Sequence, residues 1–237
     1  MIARRGMSSR LTALVLVALL PACAPKRETP DAADIRAARQ SALSFDQRMN
    51  AEIIVRLDRN EDPVAVYMAY ADNVPGWGKA LSDATQMDFS RTALGVRTPA
   101  NAPDAWERQQ MEQMSFMLDA GVDPSTMEIA EIVTEGETKL FRWMRPVLMG
   151  DSCLACHGEA IDARVKLLLG QEYPLDEATG YAAGQLGGAY SVRKILSVGG
   201  KPPSPYQPQP VAPRLPPDPR GPGDAPLVQL TPAPAPN

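Results

Sequence analysis

Residues 140–157 read LFRWMRPVLMGDSCLACH. The first half of this stretch is rich in apolar and aromatic residues, and it predicts the second arm of a β-hairpin over Thr138–Met149. The first arm is predicted over Met127–Thr134, with Glu135-Gly136-Glu137 as the turn between the arms. The second arm runs directly into Cys153-Leu154-Ala155-Cys156-His157, and this segment is where the chemistry of the chain is expected.

Cys153–His157 has the C-x-x-C-H pattern, by which c-type haem is attached covalently. In such a site each thiol forms a thioether with one haem vinyl group, and the histidine that follows supplies an imidazole nitrogen to the iron. His157 is the single histidine of the chain, and it directly follows the C-x-x-C pair. The sequence therefore predicts one covalent haem c, held by Cys153 and Cys156, with His157 as the proximal iron ligand.

Three other interpretations of the cysteine pair are weaker. A structural zinc site takes four ligands, usually Cys and His, but the chain has only three Cys and one His. A thioredoxin-like redox pair would place C-x-x-C after a strand in a βαβ unit, which does not explain His157. A plain disulfide between Cys153 and Cys156 would be strained.

The rest of the chain predicts an α+β fold. The remaining elements are a helix from Asp34 to near Arg59, a helix from Pro63 to Val74-Pro75-Gly76, a strand Met87–Gly95, a helix from Asp104 to Gly121, a short helix Asp162–Leu169 and a strand Gly187–Leu196. The first helix is predicted from a stripe of Phe45, Met49, Ile53 and Leu57, which recur every four residues. Strands that are neighbours in sequence, with helices on one side, indicate an α+β layer.

The N-terminal end is predicted to direct export and lipid attachment. Residues 1–22 combine three Arg with the short apolar run Leu11–Leu20, which is typical of a signal peptide. The run ends in Leu20-Pro21-Ala22-Cys23, which looks like a bacterial lipobox, so Cys23 is the predicted lipidation site. An ordinary signal peptide with a chance Cys is the alternative. Ala24 after the Cys, in place of Asp, favours the outer membrane and a periplasm-facing protein.

Between the two chain ends the sequence predicts a single domain. Residues 23–34 would form a lipidated tether, residues 35–198 the domain, and residues 199–237 a disordered tail, because residues 202–237 hold 14 Pro in 36 positions. Removal of the signal would leave 21 Lys and Arg against 28 Asp and Glu, a net charge of −7. Nucleic-acid binding is therefore not expected, since it requires a basic patch. The expected partners are the membrane, through the lipid, and an unidentified redox or signalling protein.

Further motifs surround the cysteine pair in a fixed order along the chain. They are Arg97-Thr98-Pro99-Ala100-Asn101-Ala102-Pro103-Asp104-Ala105-Trp106-Glu107, Phe141-Arg142-Trp143-Met144-Arg145-Pro146, Tyr173-Pro174, Ala178-Thr179-Gly180-Tyr181 and Gly187-Gly188-Ala189-Tyr190-Ser191-Val192. Together, over roughly residues 35–196, they resemble the Tll-like c-type haem domain family. The resemblance implies a PAS-like antiparallel sheet with helices packed on it, one haem in a pocket, and a role in redox or small-ligand sensing.

The chain departs from this family at the second axial position of the iron. The resemblance implies a Cys ligand on the second helix, five residues before a Pro, and counting back from Pro75 gives Tyr70. Tyr70 or the nearby Met68 could ligate the iron, the position could be open, or both side chains could simply pack against the haem edge.

Three arginines are candidates for pairing with haem propionates, because Arg binds carboxylates through two hydrogen bonds. They are Arg91, Arg97 and Arg145. The alternative for each of them is a solvated surface charge.

The residues leave four functions to compare: an electron carrier, a haem-based sensor, a haem enzyme and a scaffold with a structural haem. No output domain is recognisable, and neither a distal His nor an acid–base pair is apparent, so no catalytic residue is predicted and the protein is expected not to be an enzyme. One exposed haem edge suffices for electron transfer. The leading hypothesis is therefore an exported, lipid-anchored, mono-haem c-type redox protein. The alternative is a redox or small-gas sensor that acts with a partner protein.

Overall fold

The computed structural model describes residues 28–207, and it has a four-stranded antiparallel sheet with helices around it. The strands are β1 Asp88–Thr92, β2 Ile129–Glu135, β3 Thr138–Leu148 and β4 Leu186–Val198. Their order across the sheet is β1-β4-β3-β2, with every neighbouring pair antiparallel. The α+β prediction and the predicted hairpin are confirmed, and Gly136 takes the turn conformation with φ of 59°.

The helices and their connecting turns complete the chain order. They are α1 Ala32–Met49, a π-helical turn Asn50–Ile54, α2 Val55–Asp58, α3 Pro63–Thr85, α4 Ala105–Asp119, α5 Leu154–His157 and α6 Ala163–Glu172, with single 3-10 turns at Pro99–Asn101, Pro124–Thr126 and Asp151–Cys153. Aspartates cap the longer helices. Asp31, Asp62 and Asp162 each accept hydrogen bonds from the first-turn amides of their helices, which satisfies donors that have no partner inside the helix.

Helices lie on both faces of the sheet, which corrects the prediction of helices on one side. On one face, Phe141 and Trp143 of β3 pack with α1 and α3 in the main hydrophobic core. On the other face, Met144 packs with Met111 and Met114 of α4. The strands account for this arrangement, because successive side chains point to opposite faces, and in β3 both faces carry apolar residues.

The predicted first helix contains a local irregularity. Its predicted stripe is confirmed, since Phe45 and Ile53 are buried in the main core and Met49 and Leu57 pack against it. Residues four apart drift around a helix of 3.6 residues per turn. The wider π-helical turn at Asn50–Ile54 corrects that drift and keeps the stripe on the core.

The predicted end of the second helix at Val74–Gly76 is wrong, because α3 continues through Pro75 to Thr85. Proline removes one helical hydrogen bond and usually breaks a helix. Here Val74 and Trp77 are each 5% exposed and pack into the core on either side of the proline. Burial of these side chains holds both halves of the helix in line, since packing contributes more helical stability than propensity does.

Strand β1 is shorter than the predicted Met87–Gly95. Pairing with β4 stops at Thr92, next to Gly188, whose φ of 149° departs from regular strand geometry. A Cβ at Gly188 would lie 2.4 Å from the Thr92 carbonyl oxygen, so only glycine permits this approach. Beyond Thr92 the chain leaves the sheet, and its next residues line a cavity.

One buried arginine ties α4 to the sheet. Arg142 is 1% exposed, and its guanidinium bonds Asp104 Oδ2 at 2.7 Å and Glu135 Oε1 at 3.0 Å, with Glu107 Oε1 at 3.5 Å. It also stacks 4.6 Å from the Trp106 ring. Asp104 and Glu107 form the capping box of α4, so the Asp104–Glu107 motif found in the sequence serves to start and dock this helix.

The ends of the domain are only partly described. After β4, Val198 bridges to Lys201, so the chain still pairs with the end of β4 just beyond the predicted boundary at residue 198. The predicted signal peptide, the lipidation site Cys23 and the rest of the tail lie outside the described residues. Within residues 28–207, no helix is both long enough and apolar enough to cross a bilayer.

Candidate functional site

A cavity of about 310 Å³ lies between the sheet, the first three helices and the C-x-x-C-H segment. Its walls are mostly apolar, with Ile53 and Val66 among the helical contributions. Cys153, Cys156 and His157 line one side of it. The cavity therefore joins the predicted attachment residues to the main core of the domain.

Local structure directs the two thiols to the cavity. β3 ends at Leu148, a 3-10 turn follows at Asp151–Cys153, and α5 carries Cys156 and His157. The Ser152 hydroxyl donates to Asp58 Oδ1 at 2.6 Å, which fixes this segment to α2. Both cysteines are free and half-buried, and burial raises the pKa of the Cys156 thiol. The two side chains needed for thioether formation are thus side by side and unpaired with each other.

The His157 ring is oriented as expected for a metal ligand. Its Nδ1 lies 2.7 Å from the Ala178 carbonyl oxygen, which only accepts hydrogen bonds, so we assign the ring proton to Nδ1. Nε2 then keeps a free lone pair, and iron-binding imidazoles are commonly held in this way. Burial, together with the positive charge of Arg97, lowers the pKa of His157 to about 4. The imidazole is therefore neutral, and able to ligate, at ordinary pH.

Arg97 hydrogen-bonds the attachment segment to the loop around Asp176 and Ala178. Its Nε donates to Asp176 Oδ2 at 2.9 Å, and its Nη2 donates to the Cys156 carbonyl at 2.6 Å and to the Ala178 carbonyl at 3.4 Å. Asp176 Oδ1 in turn accepts from the Ala178 amide at 2.8 Å. The predicted propionate role of Arg97 has no support from these contacts, which instead place it as a positioning residue for Cys156 and His157.

The loop Ala178–Tyr181 completes this support. The Tyr181 amide donates to the His157 carbonyl at 2.9 Å, and the Gly180 amide donates to the Gly158 carbonyl at 3.2 Å. The motif Ala178-Thr179-Gly180-Tyr181 therefore binds the C-x-x-C-H segment through its backbone. The sequence shows the motif, but its contact with His157 is not predictable from sequence, because His157 and Ala178 are 21 residues apart.

Arg91 of β1 lines the cavity. Its guanidinium carbon lies 5.4 Å from the Phe45 ring centroid and 5.8 Å from that of Tyr70. Arg91 forms no ion pair with any carboxylate of residues 28–207. A cation in this position lacks an anionic partner inside the described part of the protein.

The other predicted site residues fall in different places. Tyr70 lines the cavity, as a distal candidate must. Met68 is 37% exposed and is not among the cavity residues, which leaves its distal role without support. Arg145 pairs with Tyr190 across β3 and β4 but does not line the cavity either, which leaves its propionate role without support.

Two methionine side chains in the cavity, Met49 and Met149, are not predicted from the sequence as site residues. Met49 ends α1 directly before the π-helical turn, and the sequence pattern places it only in the apolar stripe. Met149 is 8% exposed and packs on Gly187, where a Cβ would lie 2.7 Å from its methyl carbon. A thioether beside the predicted iron site is a possible ligand, so Met49 joins Tyr70 as a candidate.

A buried carboxylate also lies next to the cavity. Tyr67, a cavity residue, donates from its hydroxyl to Glu172 Oε2, and the Tyr173 hydroxyl donates to Glu172 Oε1 at 3.1 Å. Since the Tyr67 hydroxyl is committed to this bond, Tyr67 is a poor candidate for the iron. The contact ties α3 to α6 and so closes the side of the cavity near Cys156.

These residues fit a covalently attached haem c better than a bare metal ion. Within the described chain, no group of three or more His, Cys, Asp or Glu side chains could hold a metal ion directly. An apolar cavity, two unpaired thiols, and a neutral imidazole with Nε2 free match the donor set for C-x-x-C-H haem. The fold and site thus define an α+β domain with the features of a haem-attachment site.

The chain belongs to the Tll0287-like family, whose sequence model matches residues 30–194. This match confirms the resemblance drawn from the motifs. Among solved structures, the chain is similar to the crystal structure of the cyanobacterial haem protein Tll0287, with a TM-score of 0.54 and 22% sequence identity. That alignment covers 71% of this chain and 99% of the other, and it shows a shared fold. No curated protein matches the sequence.

Proposed function

We propose that this protein is an exported, lipid-anchored redox protein with one haem c, attached through Cys153 and Cys156 and ligated by His157. The observation that carries the proposal is the neutral His157 ring, with Nδ1 held by Ala178 and Nε2 free, beside two unpaired thiols in an apolar cavity. The solved relative is itself a haem protein, which supports the same group here.

Electron transfer is the function that these residues support best. A bound haem supplies a one-electron redox centre. The protein's part is to hold the imidazole in one orientation, through Ala178 and the Arg97–Asp176 pair, and to keep water from the centre with an apolar lining. We assign no catalytic residue and do not propose an enzyme.

A sensor is the alternative, and the cavity residues that could bind iron decide between the two. The resemblance implies that Tyr70 stands where the family has a Cys ligand, and here the Tyr70 ring lies 5.8 Å from the Arg91 guanidinium carbon. If no side chain takes the sixth position strongly, small ligands can reach the iron. An open site is compatible with electron transfer, and it would also allow a small-gas or redox sensor that works with a partner protein.

We expect the dithionite-reduced protein to bind CO readily, because a thiolate is not available at residue 70 and a Tyr70 phenolate would favour ferric over ferrous iron. Only a thioether from Met49 would compete with CO for the ferrous iron. Optical spectra before and after CO addition measure this. Tyr70→Phe and Met49→Leu test the two cavity candidates, and Met68→Leu is the matched control, since Met68 lies outside the cavity.

The spectra also identify a strong ligand if one exists. A low-spin ferrous spectrum that CO leaves unchanged would contradict the open site and, with it, the sensor alternative. The variant that then becomes high-spin names the ligand, and a change in Met68→Leu alone would show that the cavity assignment is wrong.

The proposed location depends on Cys23. Cys23→Ser should move the protein out of the membrane fraction or block its processing, because multiple acyl chains on one Cys supply a stable anchor. Cell fractionation followed by immunoblotting measures this. A Cys23→Ser protein that stays in the membrane at the mature size would show that the anchor is not a lipid on Cys23.

A further inference from the structure

Arg91 presents a charge that the described protein does not neutralise. It lies on β1 opposite Tyr190, lines the cavity, and has the Phe45 and Tyr70 rings within 6 Å. The nearby carboxylate of Asp46 accepts from the Tyr190 hydroxyl and forms no ion pair with Arg91. An unpaired cation at an apolar cavity is costly, so an anion in the cavity would stabilise this arrangement.

Two anions could fill this role: a haem propionate, or a small anion bound at the iron. The position of Arg91 favours the second. Its guanidinium carbon lies 5.8 Å from the ring centroid of Tyr70, the cavity residue that is a candidate for the iron position not taken by His157. Arg91 therefore lies beside the distal candidate, in the same cavity as Cys153 and His157.

The other cation near the site cannot serve the same purpose. Arg97 is paired with Asp176 at 2.9 Å and bonds two backbone carbonyls. Arg145 lies outside the cavity. Among the three arginines singled out in the sequence, Arg91 alone lines the cavity without a carboxylate partner in residues 28–207.

The geometry points to a site for a small inorganic anion at the iron position not taken by His157, with the Arg91 guanidinium as its charged hydrogen-bond donor and the Tyr70 hydroxyl beside it. This inference rests on the proposed haem attachment. It names the class of ligand that the cavity selects: a monovalent anion small enough to bind iron, in preference to a neutral ligand.

The test uses the purified full-length ferric protein and azide, with neutral imidazole as the comparison ligand. Titration is followed by the shift of the main haem absorption band. Because a hydrogen bond to a charged group is a strong one, Arg91→Met should weaken azide binding by about tenfold to a hundredfold. Imidazole affinity should change by less than about threefold. Arg91→Lys, which keeps the charge, should restore most of the azide affinity.

Arg145→Met is the matched control, because it removes the same charge from the same row of the sheet, outside the cavity. It should leave azide affinity unchanged. Tyr70→Phe should cause a smaller loss than Arg91→Met, and it also serves if Arg91→Met fails to accumulate.

Several results would overturn the inference. Equal losses of azide and imidazole affinity in Arg91→Met would show that Arg91 holds the haem itself, as a propionate partner would. A wild-type ferric protein that azide does not alter would mean that a side chain occupies the position. Failure of the underlying proposal looks different, since the wild type would then carry no covalent haem and show no haem absorption before any ligand is added.

Discussion

The double variant Cys153→Ala/Cys156→Ala should carry no haem after denaturing electrophoresis, whereas the wild type should stain strongly. The two thiols are the predicted points of covalent attachment, and in the structure both line the cavity as free cysteines beside His157. With both removed, any haem that still enters the cavity is held by ligation and packing alone, and a denaturant releases it. Haem-peroxidase staining of the gel measures this loss.

The chain offers a matched control, because its third cysteine is Cys23. Cys23→Ser removes a thiol outside the predicted attachment segment and should keep full haem staining. Each single variant, Cys153→Ala or Cys156→Ala, should retain reduced staining through one thioether. Undiminished staining of the double variant would contradict the attachment site.

Arg142→Met should produce the largest loss of folding stability, about 3–5 kcal/mol, which is the usual cost of removing one partner from a buried ion pair. Arg142 is 1% exposed and satisfies Asp104, Glu107 and Glu135 together. Methionine of similar length leaves those carboxylates without their cation, and the side chain of Glu107 is only 11% exposed. The free energy of unfolding, from chemical denaturation of the haem-loaded protein, measures the loss.

Arg193→Met provides the control for this variant. Arg193 is the partner of Arg142 in the β3–β4 register, but it is exposed, so the same substitution should change the stability by less than about 0.5 kcal/mol. If Arg142→Met cost no more than Arg193→Met, the cluster around α4 would not be a stabilising element. Unchanged haem spectra in both variants would further show that the cluster acts on the fold and not on the cavity.

Much of the fold follows from local sequence patterns. The hairpin is predicted by its apolar arms and its turn at Gly136, and α4 by Asp104 at its start and Gly121 at its end. The continuation of α3 through Pro75 is not predictable in this way, because the helix is held by the burial of Val74 and Trp77 on the sheet. Likewise, the helix on the second face of the sheet depends on β3 being apolar on both faces. A continuous apolar run such as β3 does not show from sequence alone which of its faces is covered.

The site is predictable only where its residues are contiguous in sequence. The C-x-x-C-H spacing identifies Cys153, Cys156 and His157 directly. The contacts that support His157, from Ala178 and the Arg97–Asp176 pair, join segments far apart in the chain and cannot be seen in the sequence. The distal iron ligand is the hardest part of the site to predict, because residues close together on a helix can face different directions. Tyr70 faces the cavity and Met68 does not. The strict four-residue spacing of the stripe through Met49 is a sequence signal for the π-helical turn, because a regular α-helix would carry such a stripe off the core.

The central claim is that one haem is bound covalently to this chain, and the intact mass of the purified, denatured protein tests it most directly. The protein should be produced with its own signal, in a host that matures c-type cytochromes, and then extracted with acidified organic solvent to remove haem that is not covalently bound. The account predicts that the extracted chain keeps the added mass of one haem, and that a peptide containing Cys153–His157 carries it. A chain that returns to its unmodified mass after extraction would contradict the account.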